Sequence, residues 1–231
     1  MTPQHVDILF QMIVFLFAIS VHESAHAWMA NLRGDPTARM LGRITLNPIK
    51  HIDPVGTILL PTIALLTGFP LLGWAKPTPV NPANFKNPML DDILTAVIGP
   101  ISNFVLATLA LLAMLGVGLT SPEGHRIVQS MPFTYALGLV GSGPDTALVP
   151  IVLFLYELML INILLGVFNL IPVPPLDGSH VLRHFLKGAV GRAYDAMGMI
   201  GLIVLVYFGQ GVLNALIMPF FRFYNSILTR G

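Results

Sequence analysis

Cysteine is absent from this chain of 231 residues, and charged residues make up only 10% of it. The missing cysteine excludes disulfides and thiolate metal sites, and soluble domains usually carry about 25% charged residues. The formal net charge of +1 offers no argument for binding nucleic acid. Neither Lys nor Arg precedes the first apolar run, so this run does not resemble a signal peptide and is expected to stay in the mature protein.

Long apolar runs dominate the sequence instead. Hydrophobic residues make up 55% of the chain, and its mean hydropathy is +0.77. A helix needs roughly 20 apolar residues to cross a bilayer, and four stretches are long enough, whereas a fifth, Val55–Leu72, is shorter and interrupted by proline and glycine. We therefore predict an all-α polytopic membrane protein, a single membrane-embedded domain over 1–231 with about four transmembrane helices and a re-entrant or short fifth segment. The predicted spans are approximately 8–32, 93–119 and 148–171, which form the core, and 196–221, which is accessory.

The basic residues favour one orientation, because cytoplasmic loops of membrane proteins are enriched in Lys and Arg. If the N-terminus lies outside and Val55–Leu72 does not cross, nine basic residues fall on the cytoplasmic side. Arg222 and Arg230 then remain outside. If Val55–Leu72 does cross, Lys76 and Lys86 become external, and this arrangement is less favoured. We expect a multi-pass protein of the cell membrane. The nine residues are Arg33, Arg39, Arg43, Lys50, Lys76, Lys86, Arg183, Lys187 and Arg192.

The sequence HESAH, residues 22–26, places ionisable side chains inside the first predicted span. His22 and His26 are four residues apart, so a helix presents both from one face, and their imidazoles can reach a single Zn²⁺. Glu23 does not share that spacing and is suited to take a proton from a metal-bound water. Because an acid inside a span costs about 2.5–3.5 kcal/mol, the pattern favours a metal site over a chance match. Glu23 lies about 22 Å from Ile8 along a helix, which puts the site below the membrane surface toward the cytoplasm.

A catalytic zinc site needs a third protein ligand and an open position for water. The sequence NLIPVPPLDGSH, residues 169–180, ends the third predicted span, and its prolines stop the helix. Asp177 follows this break at the depth expected for His22 and His26. The topology and the metal chemistry therefore both favour Asp177 as the third ligand.

Two further histidines form a second pair at helical spacing, His180 and His184. Val181 stands where the first pair has its acid, so we expect solvated histidines on an amphipathic interfacial helix. His180 is still able to contact the metal site from outside the ligand shell. His51 is a weaker candidate for the same role.

The chain carries three motifs in a fixed order, one on each predicted core span. They are HESAH, GlyProIleSerAsn at 99–103 and NLIPVPPLDG at 169–178. Together they resemble the site-2 protease family of intramembrane zinc metalloproteases. The resemblance implies one Zn²⁺ per chain bound by His22, His26 and Asp177, with Glu23 as the general base. It also implies cleavage of peptide bonds in or near transmembrane segments of substrate proteins, within the lipid bilayer.

Two asparagines in these motifs, Asn103 and Asn169, are further catalytic candidates. An amide inside a helical bundle can donate a hydrogen bond to an oxyanion or hold the substrate backbone. The alternative is a hydrogen bond between helices, and we slightly favour the catalytic role. Gly99 and Pro100 are expected to loosen or bend the second span.

The chain lacks room for the PDZ or CBS domains of larger family members, so it resembles a minimal subgroup. The sequence GWAKPTPVNP, residues 73–82, is rich in proline and therefore extended. We expect it to form a small extended or β element near the active site and to pair with an unwound substrate strand. A tight structural loop is the competing interpretation.

Other functions remain open from the sequence. Buried ionisable residues also mark ion pathways, so a zinc transporter or metal-binding membrane protein is the main alternative. A transporter would continue its polar residues across the membrane, and Glu157 is the one obvious continuation. A catalytically inactive scaffold is disfavoured by the intact ligand set. The glycines of the last span, Gly198, Gly201 and 209–211, leave a homo-oligomer open.

Overall fold

The computed structural model describes residues 3–59, 63, 74–139 and 146–230, with side chains from residue 10 onward. Helices dominate these ranges. They are α1 Pro3–Arg33, α2 Thr37–Met40, α3 Pro88–Thr120, α4 Pro122–Ala136, α5 Leu148–Asn169, α6 Asp177–Arg183, α7 Gly188–Phe208 and α8 Gln210–Arg230. Short 3₁₀ turns cover Pro48–Lys50 and Pro82–Asn84, and a π-helical turn covers Pro54–Leu59.

Four of the described helices are long and apolar enough to cross a membrane. They comprise Phe10–Arg33 within α1 and the whole of α3, α5 and α7. Apolar surface on all sides suits helices that face lipid and neighbouring helices. The prediction of an all-α polytopic membrane protein is confirmed.

The accessory span differs from its prediction. Residues 196–221 were expected to form one helix, but α7 ends at Phe208 and α8 begins at Gln210. Gly209 lies at the break, and its N–H donates to the Leu205 carbonyl, as is common where a helix terminates at glycine. Apolar residues resume at Val212, directly after the sequence Gly-Gln-Gly at 209–211, and for that reason the apolar pattern alone did not separate the two helices. Gly198 adds a kink inside α7, since its φ of +44° is accessible mainly to glycine.

The predicted β element is also corrected. The described part of the chain contains no β-strand, and residues 74–81 have no regular secondary structure. Pro77 and Pro79 lack the backbone N–H, so at these two positions the segment cannot donate to a ladder. Of Val55–Leu72, residues 60–62 and 64–72 lie outside the described residues, so whether this stretch crosses the membrane stays a prediction. Gly73 and the glycines at 141 and 143 lie outside them as well.

The chain divides into two compact units. The first unit comprises Met1–Ala18, Asn103–Leu165 and Asn214–Gly231, and the second comprises Ile19–Ser102 and Gly166–Leu213. The single domain expected over 1–231 stays a prediction. Every candidate site residue except Asn103 belongs to the second unit.

Each unit contains buried apolar side chains. Met114, Met159 and Ile163 of the first unit are fully buried. In the second unit, Ile171, Leu176 and Leu202 form a core cluster beside the segment that carries Asp177. Burial of such side chains stabilises by about 1.5–3 kcal/mol each relative to exposure in water. The cluster therefore anchors the turn between α5 and α6.

Candidate metal centre and active site

The two histidines of the HESAH motif project from one face of α1. Both His22 and His26 are buried, and their Nε2 atoms lie 3.0 Å apart. The Nδ1 atom of His26 lies 2.6 Å from the carbonyl oxygen of Thr95, to which it donates its proton. Such a bond fixes the tautomer and leaves the Nε2 lone pair available to a metal. The spacing expected from the sequence therefore yields two inward-facing nitrogen donors.

Asp177 opens α6, directly after the proline-rich break. Its Oδ2 lies 3.1 Å from Nε2 of His22 and 3.4 Å from Nε2 of His26. Gly178 allows this close turn, because a Cβ there would come within 2.8 Å of the Ile171 carbonyl oxygen. The carboxylate is thus delivered to the histidine pair by backbone that only glycine accommodates.

These three atoms fit a metal ion. Ligands on a zinc tetrahedron with bonds of about 2.0–2.1 Å lie roughly 3.3–3.4 Å apart, close to the three distances between His22, His26 and Asp177. Asp177 Oδ2 is buried and has no hydrogen-bond donor within the described ranges. Across those ranges, this trio is the group of His, Cys, Asp and Glu side chains close enough to hold a metal. Two imidazoles and one carboxylate with a fourth position left for water match a catalytic zinc site.

The charge state of Asp177 also suits a ligand. Burial acts to raise the pKa of this carboxyl group, but the adjacent imidazoles of His26 and His22 lower it by more, so the pKa is well below its ordinary value. The side chain is therefore ionised at neutral pH, as a carboxylate ligand must be.

Gly99 of α3 packs against the histidine pair. A Cβ at this position would lie 2.7 Å from Cε1 of His22 and would overlap the His26 ring. The sequence suggested only that Gly99 and Pro100 loosen the helix. In the structure, the glycine of the GPISN motif makes room for the imidazoles. Small residues that allow close helix approach in membranes were the available signal.

Glu23 is held by a residue that the sequence interpretation did not single out. Its Oε2 accepts hydrogen bonds from the backbone N–H of Thr78 at 2.9 Å and from the Thr78 hydroxyl at 2.7 Å. Glu23 is not part of the three-residue metal cluster, and its role as general base stays a prediction. Thr78 lies in the proline-rich segment, so the predicted proximity of that segment to the HESAH motif is observed.

Arg43 is a second such residue, since sequence analysis used it only as one of the basic residues that favour the cytoplasmic orientation. It is buried, and its guanidinium donates to the carbonyl oxygens of Lys50, Lys76 and Pro77. Its Nη2 lies 3.1 Å from the Lys76 oxygen and 2.7 Å from the Pro77 oxygen. No local pattern marks such contacts, since the partners are far apart in the sequence.

The two asparagine candidates lie in different surroundings. Asn103 is fully buried in the first unit and donates to Oδ1 of Asn162 at 2.8 Å. Asn169 is the half-buried last residue of α5. The interhelical hydrogen bond considered as the alternative for Asn103 is present, and catalytic roles for both residues stay predictions.

Three further histidines of the described residues, His51, His180 and His184, have hydrogen-bond partners. His180 Nδ1 lies 3.3 Å from Asp92 Oδ2, and His184 Nε2 lies 2.8 Å from the same oxygen. Each histidine thus contacts an acid on α3 that sequence analysis had not anticipated, while the His180 side chain stays 53% exposed. The hydrogen bond to Asp92 raises the pKa of His180 against the opposing effect of burial. His51 is buried and bonds through Nε2 to the Thr45 carbonyl, 2.8 Å away.

Known proteins are similar in sequence to this chain. The family model described as "Peptidase family M50" matches residues 10–208. Over 194 residues the chain is 35% identical to "Putative zinc metalloprotease YwhC" of Bacillus subtilis (strain 168), covering 84% of this chain and 77% of that protein. Over 198 residues it is 27% identical to "Putative zinc metalloprotease Rip2" of Mycolicibacterium smegmatis (strain ATCC 700084 / mc(2)155), covering 83% and 63%.

A shorter match reaches a third protein. The chain is 39% identical over 82 residues to "Protease RseP" of Photorhabdus luminescens, covering 33% of this chain and 34% of that protein. No solved structure is significantly similar to this chain.

Proposed function

This chain belongs to peptidase family M50 and is a zinc metalloprotease of the site-2 type, and we propose that it hydrolyses peptide bonds in or near the transmembrane segments of other membrane proteins. The observation that carries the proposal is the meeting of His22, His26 and Asp177 beside Glu23, with the whole HESAH motif inside a helix that is long and apolar enough to span a membrane. A protease for soluble substrates has no need of a site at that depth. The proposed location is the cell membrane, with the active site toward the cytoplasm.

The proposed metal load is one Zn²⁺ per chain, held by Nε2 of His22, Nε2 of His26 and a carboxylate oxygen of Asp177. When bound, zinc supplies a Lewis acid that polarises the scissile carbonyl and makes water more acidic. Asp177 contributes the negative charge, and the Thr95 carbonyl keeps His26 in the tautomer that binds through Nε2.

Glu23 is the proposed general base. It takes a proton from the attacking water and passes it to the leaving amine. Within the described residues, the hydrogen bonds from Thr78 go to Oε2, so we assign proton transfer to Oε1. The amide groups of Asn103 and Asn169 are proposed to stabilise the oxyanion or hold the substrate backbone. Asn103 would exchange Asn162 for substrate as its partner.

The substrate is proposed to bind as an extended strand beside residues 76–80. A helical substrate satisfies its own carbonyls, so it must unwind locally before attack. Unwound backbone needs hydrogen-bond partners inside a membrane, and a non-helical segment next to Glu23 can offer them. The Thr78 contact with Glu23 supports this placement.

Replacing Glu23 with Gln tests the mechanism. The purified full-length protein is reconstituted in liposomes with a model transmembrane substrate, and cleavage is compared with zinc content. We expect the E23Q variant to retain zinc and to lose cleavage by at least about 100-fold, because removing a general base costs roughly 10²–10⁴-fold. Glu123→Gln, on α4, is the matched control and should cleave as the wild type does. An E23Q variant with wild-type activity would contradict the mechanism.

A further inference from the structure

The Pro77–Thr78 peptide unit joins two side chains that are otherwise unrelated in the sequence. The Pro77 carbonyl oxygen accepts from Arg43 Nη2 at 2.7 Å, and the Thr78 N–H donates to Glu23 Oε2 at 2.9 Å. Both groups belong to one planar peptide unit, in which C=O and N–H point in opposite directions. The orientation of the carbonyl therefore determines the orientation of the N–H.

We propose that Arg43 is a positioning residue for the Glu23 carboxylate and acts through this single peptide unit. The proposal rests on the proposed function, in which Glu23 is the general base. Arg43 does not itself contact Glu23 through any hydrogen bond of the described residues. Its effect passes through the Pro77 carbonyl to the Thr78 N–H.

The surroundings leave this peptide unit little freedom. Pro77 has its φ fixed by its ring, and Pro79 restricts Thr78 to extended conformations. The Lys76–Pro77 peptide before it is held as well, since the Lys76 carbonyl oxygen accepts from Arg43 Nη2 at 3.1 Å. The Lys76 N–H, one peptide earlier, donates to the His51 carbonyl oxygen at 2.8 Å. Rotation of the Pro77–Thr78 unit thus requires loss of its bond to Arg43. The hydrogen bond from the Arg43 guanidinium therefore fixes the direction of the Thr78 N–H.

A second set of contacts fixes the position of Arg43 relative to α1. Ser24, the neighbour of Glu23, accepts from the Thr45 N–H at 2.9 Å, and its hydroxyl donates to the Thr45 carbonyl. Ser24 is next to Glu23, and Thr45 is two residues after Arg43. The hydrogen bonds between Ser24 and Thr45 therefore hold the segment of Arg43 close to Glu23. This arrangement closes a ring from Glu23 through Thr78, Pro77 and Arg43 back to Ser24.

The chemistry of arginine suits this position. Its planar fork can donate to several carbonyl oxygens at once, whereas a lysine ammonium is a compact point charge. Arg43 uses this fork on the carbonyls of Lys50, Lys76 and Pro77. A charged donor on the carbonyl also polarises the same peptide and strengthens the bond that its N–H donates. Arg43 therefore both orients and strengthens the contact with Glu23.

The test compares Arg43→Met with Arg39→Met, an exposed arginine four residues earlier. The full-length protein, labelled with ¹⁵N-threonine, is purified in detergent micelles. Comparison with the Thr78→Ser variant identifies the amide resonance of Thr78, a residue that lies between two prolines. Hydrogen exchange of this amide is measured together with zinc content, kcat and KM on a model transmembrane substrate.

We expect Arg43→Met to accelerate Thr78 amide exchange and to lower kcat, each by about 10- to 100-fold, as for loss of a hydrogen bond to a charged group. KM and zinc content should change by less than about twofold, which a general loss of folding would not produce. Arg39→Met should leave all four quantities near their wild-type values. If Arg43→Met does not fold, Arg43→Lys serves instead and should give smaller changes in the same two quantities.

The inference is overturned if Thr78 exchange is unchanged in the Arg43 variant, or if exchange accelerates while kcat stays at the wild-type value. A wild-type protein that binds zinc but cleaves no membrane substrate would contradict the proposed function instead. In that case the amide exchange still decides whether Arg43 orients the Pro77–Thr78 peptide. The two failures are thus distinguishable.

Discussion

Gly99 leaves the imidazoles of His22 and His26 space that a side chain would fill. We expect Gly99→Ala to lower zinc affinity by about tenfold or more, because forcing a methyl group into a packed site costs about 1–3 kcal/mol. Alanine is the better helix former by about 1 kcal/mol, so the loss cannot come from helix propensity. Zinc affinity is measured by competition with a chelator of known affinity.

Gly116 supplies the control on the same helix. A Cβ there meets nothing within 4 Å, so Gly116→Ala should bind zinc as the wild type does. If Gly99→Ala and Gly116→Ala bind zinc equally well, the close packing of α3 on the histidine pair is not needed for the site.

Single residues also show what a sequence can and cannot reveal. The spacing of His22 and His26 is local to one helix, so both were candidates at once, and the proline break pointed to Asp177. Thr78 and Arg43 escaped notice because their contacts join positions with no shared pattern. Their bonds to Glu23 and Pro77 span 55 and 34 residues. Side-chain to backbone bonds at such separations leave no periodicity in the sequence.

Helix α6 is tied to α3 by the contacts of Asp92 with His180 and His184. Because α6 begins with Asp177, this tie helps to hold the third candidate ligand. The element was only half predicted: histidines at helical spacing indicated a helix, but their acidic partner lies on another helix. The break between α7 and α8 was missed because apolar residues resume directly after the short sequence Gly-Gln-Gly at 209–211.

The tie between α6 and α3 should weaken as pH rises. The hydrogen bond to Asp92 raises the pKa of His180, and burial lowers it. The nearby charge of Asp177 raises this pKa as well, whereas that of His26 lowers it. The net shift is upward from 6.5. A raised pKa in the folded state contributes stability that is fully present below about 6.5 and is lost as pH rises through the folded-state pKa.

We therefore expect the melting temperature of the wild type to fall more than that of His180→Gln when the pH is raised from about 6 to about 9, a range that covers this titration. Thermal unfolding in detergent at fixed zinc concentration measures this difference. The effect should be small, because the His180 side chain is 53% exposed and water screens the pair. Parallel pH profiles for the two proteins would show that His180 does not contribute.

The molecule as a whole joins a membrane-spanning architecture to a polar site. Its long helices are recognisable from hydropathy alone, because lipid demands continuous apolar segments with internal hydrogen bonding. Whether residues 55–72 cross the membrane cannot be predicted in the same way, because proline and glycine interrupt the apolar pattern there. The site lies within the second unit, where α1, α3 and α6 each supply a part.

Zinc should stabilise the whole protein, because its proposed ligands come from α1 and from the segment after α5. A ligand that binds only the folded state adds about 4 kcal/mol when its free concentration is 1,000 times its Kd. For a chain of this size we expect chelation to lower the melting temperature on the order of 10 °C. Elemental analysis of the purified protein should give about one zinc per 25.1 kDa chain.

Asp177→Asn should lack stoichiometric zinc, and its melting temperature should be insensitive to the chelator. Asp195→Asn, which changes an exposed acid of α7, should bind zinc and respond to the chelator as the wild type does. Returning zinc to the chelated wild type should restore both its melting temperature and its cleavage of a membrane substrate. In the single three-ligand site, each imidazole and the carboxylate offers one donor atom to one shared ion. Two metal ions per chain would contradict this site. Full zinc retention in Asp177→Asn would contradict it as well.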